Sequence, residues 1–269
     1  MSEQTLRSAP FEIAVSDGLK VRGRVKTQEN GVRKPIVVVA HGFRGFQDWG
    51  FWPDVTDRFA SRGYYTVSFD FSRIAAKEEG LDDGRVARAS TQSQDVLDIE
   101  AVIRLIGEGR LPLQEEADSN RVALLGHSRS GGSGILYASE NPEQVDAVIV
   151  WNGGPAPAKS SKEPDLTPVQ LAVALDYEAN PERFDIASRF QELSQPALIV
   201  QGDSDSERLL AFVDRLKELA PHQSYVSIQG ANHTFGAVHP YEGSNEGLDA
   251  AFEETAAFLA RTFQPKAAV

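Results

Sequence analysis

Ser128 stands in Gly126-His127-Ser128-Arg129-Ser130-Gly131-Gly132, directly after the apolar run Val122-Ala123-Leu124-Leu125. A strand that turns sharply into a helix at this point would present a hydroxyl at the strand end. A serine hydroxyl is too weak an acid to attack a carbonyl unaided, so it needs a histidine as general base and a carboxylate to orient that histidine. Candidates for both follow strand-like runs. Asp205 comes after Ala197-Leu198-Ile199-Val200-Gln201, and His233 after Tyr225-Val226-Ser227-Ile228-Gln229. The chain order is Ser, Asp, His, and the chemistry such a set performs is nucleophilic acyl transfer.

Each position has a competing reading. Ser128 could simply cap a helix, since a serine there accepts a hydrogen bond from the first turn. Ser130 could take the nucleophile's place if the turn were shifted by two residues, although the apolar strand ends at Leu125 and reaches Ser128 without extra residues. Asp203 lies two residues before Asp205 and would suit bracing the turn. His239, just before Pro240, competes with His233 but would need its loop to fold back. His41 and His127 fall in loops flanking the proposed site, and His222 at a helix end after Pro221.

The elbow and the Ser-Asp-His order resemble the α/β-hydrolase superfamily. Upstream, Ile36-Val37-Val38-Val39-Ala40-His41-Gly42-Phe43 resembles the strand and His-Gly-x loop with which that superfamily builds an oxyanion hole. Within it, His-Gly-Phe-Arg-Gly together with Gly-His-Ser-Arg is similar to the dienelactone-hydrolase-like and feruloyl-esterase-like branch. The resemblance implies Ser128 as nucleophile, His233 as general base, Asp205 as the acid at Gly-x-x-Asp spacing, and the Phe43 and Arg129 amides as oxyanion donors. Two departures stand out. Ser130 replaces the last glycine of Gly-x-Ser-x-Gly, and the chain has no cysteine, the usual nucleophile of dienelactone hydrolases themselves. Serine chemistry is what remains.

The elements that must position these residues are legible as periodicities. Phe11–Val15 and Leu19–Val25 alternate about Asp17-Gly18, a hairpin signal for an antiparallel edge. From Pro35 onward the strand-like runs are almost wholly apolar, including Tyr65–Phe69 and Ala147–Trp151, as in strands buried on both faces. Between them lie helical spacings, clearest at Val96, Ile99, Val102, Ile103 and Ile106 and at Leu209, Phe212, Val213 and Leu216. Strand alternating with helix means a doubly wound, mostly parallel α/β sheet. The expectation is a single α/β-hydrolase domain over residues 1–269, with an N-terminal antiparallel hairpin and a small helical cap over about 153–195. That insertion opens on Gly154-Pro155-Ala156-Pro157, runs helically through Leu166–Leu175, and restarts at Asn180-Pro181 with Asn as cap. Ser72–Ser90, polar, charged and poor in periodic apolar positions, reads as a long loop.

Bulk properties bound the function. The absence of cysteine excludes disulfides and thiolate metal sites. No metal-ligand spacing, dinucleotide fingerprint or phosphate loop occurs, so neither metal nor cofactor is expected. A net charge of −12 disfavours nucleic acid and anionic membrane surfaces as partners. The first residues, Met1–Arg7, carry no signal-peptide pattern, and the cytoplasm is the expected location. The expected partner is a small-molecule ester. Two further readings stay open: hydrolysis of acyl-peptides or dipeptides by the same three residues, and a ligand-binding protein that kept the fold without catalysis. The Arg129 side chain would either bind a substrate carboxylate or pair with a strand-end acid such as Asp70. Phe43, Phe46, Trp49, Trp52, Trp151 and Phe235 suit an apolar or aromatic acyl group, or equally the core.

Overall fold

A computed structural model describes residues 5–156 and 159–264. Pro157, in the expected opening of the cap, and the first four residues lie outside them. The chain begins with β1 (Leu6–Ala14) and β2 (Lys20–Gln28), paired antiparallel with Phe11 opposite Gly23. Asp17 and Gly18 turn the chain at φ 56° and 73°, a left-handed conformation that aspartate tolerates and glycine adopts without strain.

Six parallel strands follow: β3 (Lys34–Ala40), β4 (Tyr65–Asp70), β5 (Ala117–His127), β6 (Ala147–Trp151), β7 (Ala197–Gly202) and β8 (Ser224–Ile228). The sheet order is β1-β2-β4-β3-β5-β6-β7-β8, with β2 antiparallel to β4. The order reverses between β3 and β5. In open α/β sheets such a switch point opens a crevice beyond the strand ends where ligands bind. Both the His41–Phe43 loop and Ser128 leave the sheet there.

Strand side chains alternate between two cores. Ile36, Val38, Leu124, Val148 and Ile199 face one side, while Val37, Val39, Leu125, Ile149 and Val200 face the other. The first core is covered by α4 (Gln92–Gly107), α5 (Arg129–Glu140), α7 (Ile186–Gln191) and α8 (Glu207–Leu219), through residues such as Val102, Leu136, Phe190 and Leu216. The second is covered by α1 (Trp52–Ser61) and α9 (Glu246–Thr262), through Val55, Phe59, Phe252 and Leu259. Apolar burial on both faces is what the unbroken Val/Ile/Leu runs require. Among the described residues no helix is long and apolar enough to cross a membrane.

Two segments differ from the sequence expectation. Ser72–Ser90 is not a long loop but two short helices, α2 (Ser72–Glu78) and α3 (Asp83–Ala89), the latter capped by Asp82, which accepts from the Arg85 amide. Their buried apolar positions are all alanines: Ala76 and Ala89 pack with Leu19 and with half-buried Leu81 and Val86. Small side chains at short helix length leave no periodic apolar signal. Asn180 ends a helix instead of starting one. It is the C-cap of α6 (Pro168–Ala179), and its amide nitrogen donates back to the Asp176 carbonyl. Pro181 disfavours helical backbone at the residue before it. The true helix starts are Thr167, in a capping box with Gln170, and Asp185, which caps α7.

Between β6 and β7, α7 joins the core layer, whereas α6 buries only Ala174 of its side chains and stands over the strand ends. Its tether is polar: Asp176 accepts from both the amide and the hydroxyl of Ser93 in the first turn of α4, at 2.9 and 2.6 Å.

Candidate active site

Ser128 sits between the last residue of β5 and the first of α5, at φ 58° and ψ −128°. A non-glycine residue here stores roughly 1–3 kcal/mol of strain, which the surroundings must over-determine. They do so through three backbone hydrogen bonds: the Ser128 amide donates to the Trp151 carbonyl at 3.0 Å, and the Ser128 carbonyl accepts from Gly131 and Gly154. Gly126 is required by close approach, since a Cβ there would lie 2.3 Å from the Ser130 carbonyl oxygen. Ser130, the departure from the glycine pattern, is fully buried, and its hydroxyl donates to the His41 carbonyl. It ties the β3 loop to α5 and does not hydrogen-bond to His233.

The structure brings Ser128, His233 and Asp205 into one hydrogen-bonded chain. The Ser128 Oγ lies 2.9 Å from His233 Nε2, and His233 Nδ1 lies 2.8 Å from Asp205 Oδ2. An ionised carboxylate only accepts, so Nδ1 carries the proton, and Nε2 is left to accept from the serine. Burial works to raise the Asp205 carboxyl, but hydrogen bonds from His233, the Ser206 amide and Gln201 hold it below its ordinary range. Asp203 lies apart and braces the turn, accepting from the Gly230 amide at 2.7 Å. His239 accepts from the Gly50 amide and stacks on Trp49, away from Ser128.

The His41-Gly42-Phe43 loop leaves β3 alongside the elbow. A Cβ on Gly42 would sit 3.1 Å from that of Ser128. The Arg129 amide is in the first turn of α5 and has no acceptor within the helix. Among the described residues, neither it nor the Phe43 amide is taken up by a hydrogen bond.

A second tier of residues holds the histidine loop. The fully buried Asn152, at φ 46°, donates from its side-chain amide to the Asn232 and His233 carbonyls and accepts from the Gly202 amide. Gly202 must be glycine, because a Cβ would lie 2.3 Å from the Ala231 carbonyl oxygen. His127 donates from Nε2 to the His233 carbonyl at 2.9 Å, which fixes its tautomer. Burial, then the neighbouring His233, pushes its pKa down to about 4.

That depression makes a stability prediction. A free histidine takes up its proton near pH 6.5, whereas folded His127 refuses it until about pH 4. Between those values the unfolded chain binds more protons. The His127 contribution is therefore complete above about pH 6.5 and is lost as pH falls toward 4. Urea unfolding of the protein and of His127→Gln from pH 7 to 4 should show the parent losing roughly 3 kcal/mol relative to the variant. Parallel curves would contradict the buried, neutral imidazole.

The Arg129 side chain does not pair with Asp70. It pairs with Asp95 of α4 at 2.6 Å and donates to the Ser90 carbonyl. Asp70 is occupied by the amide and side chain of Gln47. Arg73 pairs with the same Asp95 at 2.7 Å, and burial pushes its pKa down to about 10, so it keeps its proton at neutral pH. Sequence reasoning missed Asn152, Asp95 and Arg73. Asp95 in the helical Gln92–Gly107 run carried one signal, as a charge one position before the apolar Val96.

A cavity of about 670 Å³ opens over Ser128 and His233, walled by Phe43, Trp49 and Trp52 on one side and by Val169, Val173 and Leu209 on another. Trp151 and Phe235 lie in the core instead, and Phe46 packs edge-on against His239. Among the described residues no three His, Asp or Glu side chains converge as a metal-binding group.

The strand order, the switch point and the elbow after β5 define an α/β-hydrolase. The model of the dienelactone hydrolase family matches residues 21–262, and the chain belongs to that family of hydrolases. Similar solved structures include Est1E from Butyrivibrio proteoclasticus, at 18% identity and TM-score 0.69 over 94% of this chain and 98% of that one. A putative dienelactone hydrolase from Klebsiella pneumoniae is similar at 17% identity and TM-score 0.64, over 96% and 99% of the two chains. The esterase domain of a Rhodothermus marinus protein is similar at 16% and 0.65, over 95% and 98%. A search of curated proteins gave no match.

Proposed function

We propose that the chain is a serine esterase acting on small to medium carboxylic esters through an acyl-enzyme intermediate. The observation that carries this reading is the chain of hydrogen bonds from Ser128 through His233 to Asp205, at 2.9 and 2.8 Å, on the floor of a largely apolar cavity. Ser128 Oγ attacks the acyl carbon while His233 Nε2 takes its proton. Asp205 stays ionised, holds the tautomer and stabilises the imidazolium. The Phe43 and Arg129 amides receive the oxyanion, and the α5 N-terminus adds the positive end of its dipole. Collapse of the intermediate expels the alcohol, which takes the proton from His233. Water then gives its proton to His233, attacks the acyl-serine and releases the acid, restoring the Ser128 hydroxyl.

The aromatic wall of Phe43, Trp49 and Trp52 suits a flat or apolar acyl group, and Est1E, similar in fold, is known with ferulic acid bound. Over this wall α6 acts as the cap, held by the Asp176–Ser93 contacts. Steady-state hydrolysis of p-nitrophenyl esters beside aminoacyl anilides tests the substrate class. Ester kcat/KM should exceed that of the matched anilides by orders of magnitude. Faster anilide cleavage would transfer the reading to acyl-peptide or dipeptide hydrolysis.

A further inference from the structure

Beside the elbow lies a buried charge cluster that the acyl-transfer steps leave unused. Asp95 is wholly buried, accepting from Arg73 Nη1 through Oδ1 at 2.7 Å and from Arg129 Nε and Nη2 through Oδ2 at 2.9 and 2.6 Å. Two guanidiniums on one carboxylate, all out of water, are a costly way to fill a core. Apolar side chains of the same volume would stabilise the fold as well or better. The remaining contacts of the two arginines show what the cluster holds.

Arg129 contributes one proposed oxyanion donor from its own backbone, and its side chain is pinned by Asp95 and by the Ser90 carbonyl at 2.9 Å. The other donor, the Phe43 amide, shares a rigid peptide plane with the Gly42 carbonyl, which points the opposite way. That carbonyl is gripped by Arg73 Nη2 at 3.3 Å and by His41 Nδ1 at 2.7 Å. Fixing the oxygen at one end of the plane aims the N–H at the other. The Phe43 ring is held as well, with the guanidinium carbons of Arg129 and Arg73 at 4.0 and 5.0 Å from its centroid, within cation–π range. A single carboxylate thus connects both halves of the oxyanion site.

We propose that Asp95, acting through Arg73 and Arg129, is the positioning residue of the oxyanion site, setting the Gly42–Phe43 peptide plane and the first turn of α5 so that both amides meet the same oxygen. This rests on the esterase reading above. The reaction's charge develops only in the transition state, so a residue that aims these donors affects kcat and leaves ground-state binding alone.

The test compares the parent with Asp95→Asn and with Arg73→Lys, which keeps a positive charge beside Asp95 but loses the second guanidinium nitrogen that reaches the Gly42 carbonyl. Four quantities are measured on protein shown to be folded by circular dichroism: kcat and KM for p-nitrophenyl butyrate, inhibition by an alkyl trifluoromethyl ketone, which forms an oxyanion on the serine, and inhibition by the matching plain ketone, which does not. Asp95→Asn should lower kcat about 100-fold, the size of losing one oxyanion donor, and weaken the trifluoromethyl ketone by the same factor. KM and the plain ketone should hardly move. Arg73→Lys, at a side chain that does not line the cavity, should show the same split at about 10-fold, and it decides the matter if Asp95→Asn does not fold. Unchanged kcat in the folded variants, or kcat, KM and both ketones shifting together, overturns the proposal and leaves the cluster a purely structural one. A parent that hydrolyses no ester and binds no trifluoromethyl ketone overturns the esterase reading, and this proposal with it.

Discussion

Replacing Ser128 by alanine should lower kcat about 10⁶-fold, leaving only the residual acceleration that an oxyanion site and substrate binding supply. The substitution removes one oxygen, the atom 2.9 Å from His233 Nε2. It keeps the Cβ and all three backbone hydrogen bonds that hold the elbow at φ 58°, so the protein should fold as before. Ser130→Ala is the matched comparison. Ser130 is buried and its hydroxyl donates to the His41 carbonyl, so its loss should cost about 1 kcal/mol of stability and little turnover. Steady-state rates of both variants on one activated ester check the pair. A collapse at Ser130 with Ser128→Ala still active would move the nucleophile by two residues.

The second large effect belongs to the carboxylate. Asp205→Asn should cost about 10⁴-fold in kcat, because an amide can present its N–H to His233 Nδ1 and favour the wrong tautomer. In that tautomer Nε2 carries the hydrogen and cannot accept from Ser128. Asp203→Asn should leave turnover nearly intact. The carboxylate of Asp203 only braces the turn by accepting from the Gly230 amide, and an asparagine oxygen accepts equally well. Kinetics of the two variants on the same ester separate them. Equal losses would mean that the acid is shared or misassigned.

What the sequence makes legible is whatever depends on local pattern. The buried strands announce themselves as Val/Ile runs because both of their faces are covered. The Asp17-Gly18 hairpin announces itself because few residues adopt its dihedrals. Ser128, Asp205 and His233 can be picked out because each follows a strand end, and the structure brings them into contact. Partner choice across the fold is not local. Nothing near Arg129 in the chain marks Asp95 over Asp70, since that preference is set by how α4 lies against α5 and by Gln47 having already engaged Asp70. Asn152 was silent for the same reason, its three partners lying 50 to 81 residues away. The short alanine-lined helices after β4 and the C-capping Asn180 show the other limit: small buried faces, and polar residues that cap either end of a helix, leave signals that read two ways.

The most direct test of the nucleophile is labelling of the folded protein with a fluorophosphonate, followed by peptide mapping of the adduct. Activation by His233 at 2.9 Å predicts one adduct per chain, on Ser128, lost in Ser128→Ala and retained in Ser130→Ala. An adduct mapped to another residue, or none on folded protein, would contradict it.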